Sequence, residues 1–143
     1  MLWMHAAAAQ DDGDAFARSR GLQRCYGVFD ARAKAYPDNA EFKLMASTFQ
    51  LAATMSRIFD AQSPAGARAL AASSAAQAAS DAASAPRRKF SEELAENAAA
   101  DARVFFDEGN ALPSDDARRQ RLKDFALACA QASQQFFAAA QKR

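Results

Sequence analysis

Cys25 and Cys129 are the two thiols of the chain and His5 is its single imidazole, within 143 residues. A thiol becomes a strong nucleophile when a base such as histidine draws off its proton. His5 sits in the Ala-rich start MLWMHAAAAQ, outside any periodic element and distant in sequence from both cysteines, which argues against a Cys-His couple. One imidazole also cannot furnish the two Glu-x-x-His pairs of a carboxylate-bridged metal site in a helical bundle. The patterns C-x-x-C-H, G-x-S-x-G and H-E-x-x-H and the Gly-rich phosphate loop do not occur. The expectation is therefore no cofactor, no metal and no enzymatic activity. Acid-base work by paired carboxylates is the chemistry left over, with Glu92, Glu93, Glu96, Asp101, Asp107 and Glu108 as candidates. Among these, Asp101 alone falls on an apolar stripe, between Ala98 and Phe105. Burial there would raise its pKa or demand a cationic partner, and a place at the edge of the face, reaching water or an Arg, is the plainer expectation.

Both cysteines recur on apolar stripes. Leu22, Cys25, Phe29, Ala33 and Tyr36 share one face of a first helix expected over residues 12 to 36. Leu122, Ala126, Cys129, Ser133, Phe136 and Ala140 share one face of the last. If those helices pack side by side, a Cys25 to Cys129 disulfide is geometrically admissible, and it points to an oxidising compartment, here the periplasm. The alternative is two reduced, buried thiols acting as small apolar residues in a cytoplasmic protein.

The elements that must position these residues are helical. Alanine supplies 40 residues while Val and Ile together supply three, a bias toward helix and away from strand. Pro37 ends the first helix, and Asp38 with Glu41 matches a capping box for the second. Along that second helix Phe42, Met45, Phe49, Ala52 and Phe59 form one stripe. Leu44, Leu51, Met55 and Ile58 form another about 100° round, a breadth that predicts burial against two neighbours. Ser63-Pro64 is a cap followed by a first-turn proline. The Ala/Ser-rich segment from 65 to 89 reads as a helix with little to bury, or as a linker. After Pro86 a stripe of Phe90, Leu94, Ala98, Asp101 and Phe105 runs to the Gly109-Asn110 stop. Ser114-Asp115-Asp116 opens the last helix. The expected fold is all-α, an up-and-down bundle of four to five helices in a single domain over 11–143, with residues 1–10 as a disordered or signal-remnant N-terminus.

A formal charge of +1 and a pI near 7.8 give no strong attraction to nucleic acid, which is not expected as a partner. No stretch approaches the ~18 apolar residues of a membrane span. The clusters Arg87-Arg88-Lys89 and Arg118, Arg119, Arg121 and Lys123 read as solvated helical faces. In the doublets Phe105-Phe106 and Phe136-Phe137 one ring can enter the core while its neighbour points about 100° away. Phe106, Phe137 and Tyr26 are therefore candidate anchors for a protein partner, with Asp101, Asp107 and Glu108 as candidate charged contacts. Ala-rich faces also admit a homodimer. In general character the chain is similar to small helical proteins of the bacterial cell envelope, including immunity proteins that neutralise secreted toxins. That resemblance lies in composition and carries no motif. It implies binding to a toxin or enzyme, an inhibitory role and no catalysis.

Overall fold

A computed structural model describes residues 15–80 and 90–142. The expectations for residues 1–10 and for the stretch from 81 to 89 lie outside the described residues. Five helices and no strand occur among the described ones: α1 (Ala17–Ala35), α2 (Ala40–Gln62), α3 (Pro64–Ser80), α4 (Phe90–Asn110) and α5 (Asp115–Gln141).

Their ends follow local chemistry. Ser114 Oγ accepts from the Ala117 N–H at 3.1 Å, and Asp115 and Asp116 fill the first turn of α5, so a hydroxyl and two carboxylates meet the positive end of the helix. Ser63 Oγ accepts from the Gly66 N–H at 3.0 Å and donates to the Asp60 carbonyl at 2.6 Å, closing α2 and opening α3 with one side chain. Gly66 is required in this corner, because a Cβ there would stand 2.7 Å from the Asp60 carbonyl carbon. The cap of α2 is Asn39 rather than Asp38: its Oδ1 accepts from the Phe42 N–H at 3.0 Å. The helix starts at Ala40, and a capping side chain reaches only the amides two or three residues on.

α1 is the centre of the bundle. Its Phe29 ring lies 5.5 Å from Phe49 of α2 and stacks 6.2 Å from Phe125 of α5. Further along, Tyr36 meets Phe42 and Arg18 meets Phe136, so α2 and α5 both run antiparallel to α1. Gly27 touches Ala98 and Arg32 covers Phe106, so α4 runs parallel to it. The four helices alternate in direction, as an up-and-down bundle does. α3 is the added element, and it packs against α2. One core group joins Cys25, Val28, Phe29, Ala46, Phe49, Phe105 and Cys129; a second joins Leu22, Ala52, Ala53, Leu94 and Phe136. No helix among the described residues is long and apolar enough to cross a membrane.

Candidate functional site

The thiols come together. Cys25 and Cys129 sit in the first core group with their sulfurs at disulfide distance and their α-carbons 5.8 Å apart, a spacing within the range of native bridges. Both are buried, and among the described residues no cysteine is left unpaired. The geometry makes this pair a brace between α1 and α5 rather than a reactive centre.

The carboxylates disperse. Asp101, half-buried on α4, accepts from Gln23 Nε2 of α1 at 3.0 Å, so its partner is an amide instead of a cation or water alone. Glu108 joins three helices: Arg121 of α5 donates to it at 2.7 Å, and Arg24 of α1 stands 3.9 Å away. Arg121 also donates to the Phe105 carbonyl and stacks its guanidinium on the Phe105 ring, 3.9 Å from the centroid. Asp107 is exposed. Glu92 and Glu93 are exposed in the first turn of α4. Among the described residues no group of His, Cys, Asp and Glu could hold a metal ion.

The spare aromatics are half-buried. Tyr26 and Phe106 pack on the first core group and Phe137 on the second. Phe106 stands edge-on to Phe105 and lies under the Arg32 guanidinium. Burial, helped by the Asp30 carboxylate and opposed by Lys34, pushes the Tyr26 hydroxyl above its ordinary value. The Asp30 carboxylate bonded to Lys34 at 2.8 Å holds that ammonium protonated to higher pH than usual. Arg118 does the reverse to Asp115, lowering it by a direct hydrogen bond. Tyr36, expected on the core stripe of α1, instead occupies the helix C-cap and is exposed, because the chain leaves helical geometry one residue earlier than the stripe.

The largest departure from expectation is on α2. Its first stripe is buried or half-buried, but of the second only Met55 packs inward: Leu44 is 68%, Leu51 53% and Ile58 46% exposed. They stand seven residues apart, two helical turns, so they line up along one side. Their neighbours on that side are Ser47, Thr48 and Thr54, and no charge interrupts the row. Among the described residues no helix covers this side: α3 packs against α2 without burying these three side chains, and α1 and α5 meet α2 on its first stripe, as Phe29 with Phe49 and Phe136 with Phe59 show.

Two hollows open at the end of the bundle where α1 finishes. One, about 520 Å³, is lined by the turn from Ala35 to Asn39. The other, about 350 Å³, is lined by Arg32, Asn110, Asp115, Arg118 and Arg119. Both are shallow and open to solvent, unlike the enclosed apolar clefts that hold small ligands.

Compared with known proteins, the chain matches no protein-family model, no curated protein and no solved structure.

Proposed function

We propose that this protein is a non-enzymatic helical binding protein of the bacterial cell envelope, which sequesters or inhibits a protein partner by covering part of its surface. The exposed row Leu44, Leu51 and Ile58 carries this reading. Three large aliphatic side chains in line and free of charge cost solvation in isolation and reward burial by a complementary surface. The wide brace from Cys25 to Cys129 supports it from below, because a rigid scaffold loses little conformational freedom on docking. The same brace fits an oxidising periplasm, where such a bond persists.

The test places a photocrosslinking amino acid at Leu51 in the producing cell, with Gln131 on α5 as an exposed control site. One foreign protein should be trapped from position 51 and not from 131. With that partner purified, Leu51→Asp should weaken binding by about 2 kcal/mol, roughly thirtyfold in Kd. Absence of a foreign adduct at 51, or an unchanged Kd in the variant, refutes the reading. So does robust turnover that vanishes in Asp101→Ala.

A second reading has its own observation. Reversing the row about Leu51 sets Leu44 opposite Ile58 and Thr48 opposite Thr54, so the face is nearly its own antiparallel complement. A self-associating scaffold would use it in a twofold dimer. Position 51 would then trap a second copy of the chain, and sedimentation at high micromolar concentration would show a dimer that Leu51→Asp dissolves.

A further inference from the structure

Arg32 is placed unlike the other arginines near it. Arg118 is bonded to Asp115 and to the Leu112 carbonyl, and Arg119 to Asp116. Arg121 is bonded to Glu108. Among the described residues the Arg32 side chain has no carboxylate and no hydrogen-bond acceptor; its contacts include two ring faces, Phe106 at 5.0 Å and Tyr36 at 5.7 Å from the centroids. Its Nε is shut off from solvent with no partner. The terminal nitrogens of this half-buried side chain are not shut off, and they offer an incoming acceptor hydrogen bonds that no side chain or carbonyl takes up among the described residues. The rings hold it flat and ordered, so little rotamer freedom remains to be lost when a planar acid group meets it.

This side chain lines the 350 Å³ hollow with Asn110, Asp115, Arg118 and Arg119. The charges there leave a small remainder. Arg118 is offset by Asp115 and Arg119 by Asp116, and among the described residues Arg32 has no carboxylate bonded to it. One positive charge matches one carboxylate; a doubly charged phosphate would meet Asp115 in the same wall. The exposed Tyr36 and half-buried Phe106 add apolar area beside the charge, which suits a peptide side chain more than a free inorganic anion. Tyr and Arg together are also the residue types that most often dominate binding at protein interfaces.

We propose that the hollow at the C-terminal end of α1 is a receptor site for a Glu or Asp side chain of an extended acidic segment on the protein partner, with the Arg32 guanidinium as its ligand-binding group between Tyr36 and Phe106. The proposal rests on the protein-binding reading above. It adds a second, charged contact at a place separate from the α2 row.

The experiment uses the full, oxidised chain and follows the arginine Nε–H and aromatic ring resonances by NMR. The probe is the acetylated, amidated peptide Gly-Glu-Leu-Glu-Gly, with Gly-Gln-Leu-Gln-Gly and inorganic phosphate in parallel. Saturable shifts at Arg32 and Phe106 with the Glu peptide, absent with the Gln peptide, are expected. Arg32→Gln should weaken the interaction about tenfold. Arg119→Gln, at an exposed position that leaves the core untouched, should weaken it by a smaller factor and serves if the first variant is poorly folded. Shifts spread evenly over all arginines, an unchanged affinity in both variants, or phosphate acting at Arg32 as strongly as the peptide would each overturn the proposal. Crosslinking at Leu51 reads the α2 row independently. A negative peptide titration with that adduct intact removes this site alone, whereas loss of the adduct removes the broader reading.

Discussion

Gly21 and Gly27 lie on the same helix, six residues apart, and the same substitution should act on them with opposite sign. An added Cβ at Gly21 meets nothing within 4 Å. Gly21→Ala then collects the helix propensity difference of about 0.8–1 kcal/mol in favour of folding. At Gly27 the added methyl would lie 2.7 Å from the Ala98 carbonyl carbon and 3.1 Å from its α-carbon, where carbon atoms settle at roughly 3.5–4.0 Å. The obstacle is backbone, so no side chain can swing aside. α1 and α4 must part by about 1 Å over a contact that includes the buried Leu22, Leu94 and Ala98, and overpacking of this kind costs about 1–3 kcal/mol or more. Against rigid backbone the cost falls at the upper end of that range, about 3 kcal/mol, and the propensity gain of about 1 kcal/mol leaves Gly27→Ala destabilised by about 2 kcal/mol. For a chain of this length each kcal/mol moves Tm by about 3–4 °C. Urea and thermal unfolding followed by far-UV circular dichroism, on oxidised protein, should give a rise in Tm for Gly21→Ala and a fall for Gly27→Ala. A Gly27→Ala protein as stable as the parent would refute the close approach of α1 and α4, and with it the register that brings Arg32 over Phe106.

Reduction of the Cys25–Cys129 pair opens a closure of 104 residues and should lower the unfolding free energy by about 4 kcal/mol, near the ~4.7 kcal/mol of the chain-entropy model; a loss under about 1 kcal/mol by urea titration with and without reductant counts against the brace. The Tyr26 hydroxyl is raised above 10.0 by burial and then by Asp30, so the folded state keeps the proton longer than the unfolded one. Stability from this group is full below the unfolded value and is lost as pH rises through the folded one. Tyr26→Phe should flatten that alkaline decline, and identical alkaline slopes in the two proteins would show that Tyr26 has no part in it.

Much of the bundle is legible from local chemistry. Pro37, Ser63-Pro64 and Ser114-Asp115-Asp116 mark helix ends because capping and proline geometry act within a few residues. The pairing of Cys25 with Cys129 is legible as an alternative, since both positions fall on apolar stripes and two stripes of a small bundle have few faces to choose from. Asn39 displaces Asp38 as a cap because the two candidates are adjacent and the choice turns on where the first amides lie. The second stripe of α2 shows a limit of another kind. Periodicity tells which residues share a side of a helix, but a covering neighbour is a matter of how many helices exist and how large their side chains are. The segment after Pro64 is rich in alanine and serine, and Leu44, Leu51 and Ile58 stand exposed. Arg32 is less legible still: its isolation depends on the parallel register of α1 against α4, and no pattern within either helix encodes that.

The bond between α1 and α5 also shapes what a pulling force can do. Tension applied beyond Cys25 on one side and beyond Cys129 on the other passes straight across the two sulfurs, and the 103 residues between them carry none of it. A machine that unfolds proteins by drawing one strand through a narrow ring would therefore meet a closed loop near either end of the bundle, and would have to admit two strands abreast or stall. Oxidised, the domain resists threading irrespective of its thermodynamic stability; reduced, it becomes an ordinary thread.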